Sequence, residues 1–103
     1  MTKEEESYYS AGRSINGATE SQMFGKPCFK VNGKAFVSFF QNEMVFKLPA
    51  PYHGEALKLQ DARLFDPSGK SRPMKEWVQI PGKYSEQWPE FAFAAFEYVK
   101  NSK

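Results

Sequence analysis

From Glu20 onward, hydrophobic and polar positions alternate with a period of two, and glycine, proline and asparagine cut the alternation into short runs. Period two marks strands with one buried face. Gln22 to Phe24 and Cys28 to Val31 read as one strand, bent at Gly25-Lys26-Pro27, a triplet that suits a bulge. Asn32-Gly33 is a hairpin signal, because both residues tolerate the positive φ of a type I′ turn. It leads into Ala35 to Phe40, and a turn around Asn42-Glu43 returns the chain as Met44 to Leu48. These runs predict an antiparallel meander.

Pro49-Ala50-Pro51 ends the strand, and Glu55 to Gln60 has the apolar spacing of a short helix, weakened by Gly54. Ala62 to Phe65 and Glu76 to Ile80 read as two further strands flanking the DPSGKSRPM loop. The last element is a helix from Gln87 to Asn101, with Ser85 or Trp88 as its cap and Pro89 in its first turn. At 100° per residue from Trp88, the residues Phe91, Ala92, Ala95, Tyr98 and Val99 fall within about 80° and form a buried stripe. Phe96 lies at its edge, and Phe93 about 140° away, among Glu90, Glu97 and Lys100 on the solvent side. Residues 1–18 are weakly patterned, in keeping with a frayed segment or a short helix. Strands in sequence followed by helices give an α+β class: one domain over residues 19–103, an antiparallel sheet covered by helices on one side, closed by a C-terminal aromatic helix.

Composition changes this picture little. A chain of 103 residues with 41% hydrophobic and 17% aromatic content can bury a core without disulfides or metal. No apolar run approaches a membrane span, and the MTKEEES start is acidic where a signal peptide is basic and then apolar. With a single cysteine, Cys28, the expectation is a cytoplasmic protein.

Charge is more informative by position than by total. The net charge is +2, yet residues 21–83 hold ten Lys/Arg against five Asp/Glu. Lys26, Lys30 and Lys34 form one basic group and Lys70, Arg72 and Lys75 a second, the candidates for contact with nucleic acid or a protein partner. The plainer reading of such lysines is the solvent side of strands, which they protect from edge-to-edge pairing.

Several segments resemble the N-terminal domain of the TfoX/Sxy family: Met23-Phe24-Gly25, Gly33-Lys34 with Phe36, Lys47-Leu48-Pro49, Phe65-Asp66-Pro67, and above all Arg72-Pro73-Met74-Lys75-Glu76-Trp77-Val78 with Ile80-Pro81. The resemblance covers residues 19 to 100. It implies an α+β domain loosely related to the MmcQ/YjbR group. In full-length relatives this domain accompanies a C-terminal domain and the protein promotes transcription of competence genes, so a regulatory role linked to transcription is what the resemblance implies.

Catalytic chemistry finds little material. Gly69-Lys70-Ser71 mimics the end of a phosphate-binding loop, but the position five before that glycine is Leu64, and Asp66-Pro67-Ser68-Gly69 reads as a type I turn. One His and one Cys supply no zinc tetrad, and neither a metal nor a cofactor is expected. Cys28 and His53 as nucleophile and base lack an orienting third group. Cys28 shares the strand face of Lys26 and Lys30 and reads as a buried thiol, and His53 as an exposed loop residue. Asp66 and Glu76 read as a turn residue and as a surface charge among Lys70, Arg72 and Lys75, not as an acid–base pair. Trp77 is expected to pack under the terminal helix. The residues therefore predict a non-catalytic interaction module with a protein partner, with direct nucleic-acid binding second and a small hydrolase third. Phe93 with Phe96 is the candidate contact of a homodimer.

Overall fold

The computed structural model describes residues 2–23, 25–66 and 74–102. The weakly patterned start forms a helix, α1 (Lys3–Arg13). Thr2 caps it by accepting from the Glu5 amide, and Glu4, Glu5 and Glu6 place negative charge at its positive end. Its buried stripe is Tyr8, Ala11 and Gly12, continued by Ile15. Gly12 matters by being small: a Cβ there would lie 2.1 Å from Phe29 Cε2, so α1 comes this close to the sheet only without a side chain at that position.

Four strands follow: β1 (Thr19–Met23), β2 (Lys26–Val31), β3 (Lys34–Phe40) and β4 (Glu43–Lys47). The expected single bent strand is two strands. Met23 sits opposite Lys26, and Gly25, at φ 73°, reverses the chain where a bulge was expected. The Asn32-Gly33 turn is present with φ of 53° and 79°. The next reversal uses Gln41 and Asn42 (φ 51° and 64°), one residue earlier than expected. After α2 (Tyr52–Leu57) come β5 (Arg63–Phe65) and β6 (Met74–Ile80). A 3-10 turn over Gly82–Tyr84 leads into α3 (Trp88–Lys100). Gln87 precedes α3 with no side-chain cap, so neither Ser85 nor Trp88 caps it, and Pro89 sits in the first turn.

The six strands form one antiparallel sheet in the order β1-β2-β3-β4-β6-β5. The fold is α+β with the helices on one face. There Tyr8 and Trp88 from α1 and α3, and Ala56 from α2, pack with Phe29, Val37, Phe46, Val78 and Ile80. A register shift between β2 and β3 adds Phe36 to this face beside Val37, and its ring meets Phe96 edge-on at 5.4 Å.

The helix-free face carries a smaller cluster of Val45, Phe65 and Trp77, with Met23, Ala35, Phe40 and Met74 around it. Trp77 therefore does not pack under α3. Strand alternation turns Val78 and Ile80 to the helices and Trp77 away from them.

Candidate functional site

Residues facing each other across neighbouring strands share a face, so register places the predicted basic residues. Lys26 and Lys30 lie with Cys28 on the helix-free face of β2. The Lys26 ammonium is 4.9 Å from the Phe40 ring centroid. Lys34 stands opposite Val31, a core residue of the helix-covered face, and so leaves the group it was assigned to. Lys75 is exposed on β6, while Lys70 and Arg72 lie outside the described residues, as does the turn proposed after Asp66. Lys47 stands opposite Trp77 in the register of β4 and β6, but its ammonium turns to the Glu76 carboxylate 4.0 Å away, so it does not join Lys26 and Lys30.

Cys28 is 1% exposed, and burial pushes its thiol up while Lys30 pulls it the other way. His53 lies in the first turn of α2, where its Nε2 donates to the Lys75 carbonyl at 2.7 Å. The two are on opposite sides of the sheet and make no nucleophile–base pair. Glu76 does carry a surface charge, but its partners are Lys47 at 4.0 Å and the Tyr98 hydroxyl, which donates to Oε1. That carboxylate holds the Tyr98 hydroxyl above its ordinary range.

The structure also forms a polar groove of about 550 Å³ around Glu43, Asp61, Arg63 and Lys83. Its charges satisfy one another: Arg63 donates to Glu43 Oε1 and to the Asp61 carbonyl, both at 3.0 Å, and Lys83 to Asp61 at 3.2 Å. Buried Gln79 donates to the same Glu43 oxygen at 2.7 Å. Among the described residues no group of three His, Cys, Asp or Glu side chains is placed to hold a metal ion. None of the described helices is long and apolar enough to cross a membrane.

The most open apolar feature is on α3. Phe93 is 54% exposed, as its position on the helix predicted. Its ring stacks on Phe96 with centroids 6.3 Å apart. Phe96 itself is 4% exposed, so it supports Phe93 from within the core and offers a partner almost no surface of its own. Beside Phe93 runs a groove of about 440 Å³ lined by Pro49, Tyr52, Phe93, Ala94, Tyr98 and, at the helix end, Glu97, Asn101 and Ser102. A second groove of about 430 Å³ continues from Tyr52 between α2 and the start of α3. The placement of Tyr52 has no sequence signal, since the Pro-Ala-Pro bend that carries it forecasts a break and not a direction.

Compared with family models, curated proteins and solved structures, the chain matches none of them.

Proposed function

We propose that this protein is a small non-catalytic interaction module of the TfoX N-terminal kind, working in the cytoplasm, linked to transcription control, and docking a protein partner on the groove beside Phe93. The observation that carries the reading is the exposed Phe93 ring, seated on buried Phe96 at the rim of a preformed groove with Tyr52 and Tyr98. An aromatic ring already fixed in place loses little freedom on binding, and such rings dominate the energetics of small interfaces. The catalytic alternative has less support, because His53 Nε2 is committed to a backbone carbonyl and Cys28 is buried on the opposite side of the sheet.

The partner is a different protein before it is a second copy. Self-association was expected to use two phenylalanines, and burial of Phe96 leaves one. Contact through Phe93 alone is too small for a stable homodimer, whose interfaces bury more than about 1,200 Å². A homodimer is therefore expected only above roughly 100 μM in light scattering, as befits weak association.

A second reading is nucleic-acid binding on the helix-free face, favoured by Lys26 and Lys30 standing together there on β2. One experiment separates the two. Phe93→Glu should abolish retention of the proteins that co-purify with the wild type from its source, with thermal stability unchanged, while Lys26→Glu/Lys30→Glu should retain them. The reverse pattern, together with duplex DNA binding that weakens steeply above about 50 mM salt, would replace the first reading with the second.

A further inference from the structure

We propose that the groove beside Phe93 recognises a cation: a lysine side chain of the partner protein, its ammonium lying against the aromatic faces. The inference rests on the docking reading above and adds the chemistry of the occupant.

Three rings line the groove, Tyr52, Phe93 and Tyr98. The face of an aromatic ring carries negative charge density, and an ammonium within about 6 Å of the centroid is attracted to it. Two of the rings are held in place, Phe93 by stacking on Phe96 and Tyr98 by the hydrogen bond from its hydroxyl to Glu76. Donation to a carboxylate also makes the Tyr98 ring richer in electrons. The same aromatic cluster already attracts a cation within the fold, since Lys100 Nζ lies 5.7 Å from the Phe96 centroid.

The charges of the lining have one sign. Glu97 is the one ionisable carboxylate among its residues, and neither Lys nor Arg lines it. Asn101 and Ser102 place the C-terminus of α3 at the groove's end. That end carries the negative pole of the helix, which favours a cation; Lys100 stands in the same turn but does not line the groove. An apolar anchor would use the rings alone. A lysine uses the rings along its methylene stem and meets both the carboxylate and the helix end with its head.

The test is an amide-resolved NMR titration of the full chain with N-acetyl-lysine-methylamide, and in parallel with N-acetyl-norleucine-methylamide, which has a butyl side chain and no ammonium. In about 50 mM salt the lysine derivative should move the amides of Phe93, Ala94, Glu97 and Asn101 saturably, binding about threefold or more tightly than the norleucine derivative. Glu97→Gln should remove most of that preference and leave norleucine binding unchanged. Equal binding of the two derivatives would overturn the cation inference and leave an apolar docking groove. Movement of these amides by neither derivative would overturn the inference and the docking reading together.

Discussion

The two tryptophans lie on opposite faces of the same sheet, and their surroundings differ as the faces do. Trp88 is fully buried among the residues that three helices bring down onto the sheet. Trp77, 7% exposed, belongs to a small cluster with Val45 and Phe65 on the face that none of the described helices covers. The helix-covered face is nearly all apolar. The other face mixes its few buried apolar residues with buried Ser38 and Gln79 and with lysines. Stability is thus concentrated on one side, and the opposite side is held by hydrogen bonds between strands and by a local cluster.

The largest expected effect tests that contrast directly. Trp88→Ala leaves a hole between α1, α3 and the sheet that neighbours cannot fill, and should cost about 4 kcal/mol. Trp77→Ala removes the largest ring of a smaller cluster, whose partly buried neighbours Met23, Phe40 and Met74 can close on the space, and should cost about 3 kcal/mol. Urea unfolding of both variants decides the matter. A Trp77→Ala cost equal to or above that of Trp88→Ala would mean that the helix-free face is a second core.

The same contrast explains what was legible in the sequence. Turn chemistry is local, so Asn32-Gly33 announced its hairpin, and the α3 stripe announced its buried face because large residues repeat at helical spacing. The α1 stripe was passed over although Tyr8, Ala11, Gly12 and Ile15 follow the i, i+3, i+4, i+7 spacing of a buried helix face. Two of its four members are small, and one of them, Gly12, serves close approach to Phe29, which periodicity of large apolar residues does not register. Gly25 suits a bulge and a reversal equally well by sequence, because sequence alone does not say how far a positive φ turns the chain. The expectation that Trp77 packs under the terminal helix fails for a related reason: alternation says that Trp77 and Val78 point opposite ways, and only the position of the helices says that Val78 is the one turned to them. The groove was half legible, Phe93 from its place on the wheel and Tyr52 not at all.

A middle-sized effect sharpens the comparison on the helix-free face. Gln79 is 2% exposed and donates to Glu43, which also receives Arg63. Gln79→Leu keeps the approximate volume but removes the donor, so Glu43, whose side chain is 22% exposed, depends on Arg63 alone. The expected cost is about 1.5 kcal/mol, the low end for one hydrogen bond to a charged group, because Glu43 keeps Arg63 and some contact with solvent. A stabilised variant would show that the apolar cluster on this face tolerates growth and that its polar residues contribute nothing to stability.

The smallest effect at neutral pH lies on the helix-covered face. Tyr8 is completely buried, its ring centroid 4.9 Å from Tyr9, 5.2 Å from Phe39 and 5.3 Å from Phe29, and its hydroxyl has no hydrogen-bond partner among the described residues. A buried hydroxyl without a partner lowers stability, so Tyr8→Phe, which keeps the ring, should leave stability unchanged or raise it by up to about 1 kcal/mol. The effect grows with pH. Burial raises the ionisation of Tyr8 far above the value of about 10 that it has in the unfolded chain. The folded state therefore holds its proton when the unfolded state releases it. Stability is at its full value below about pH 10 and is lost as pH rises beyond that. Near pH 11 the wild type should have lost about 1.4 kcal/mol through this group, and Tyr8→Phe should lack that loss. Cys28 and Tyr98 are raised in the same direction and titrate in both proteins, so the difference between the two urea midpoints isolates Tyr8. Parallel curves from pH 8 to 11.5, or a neutral-pH cost well above 1 kcal/mol for Tyr8→Phe, would mean that the hydroxyl is bonded in solution and that the helix-covered face is less uniformly apolar than its contrast with the other face requires.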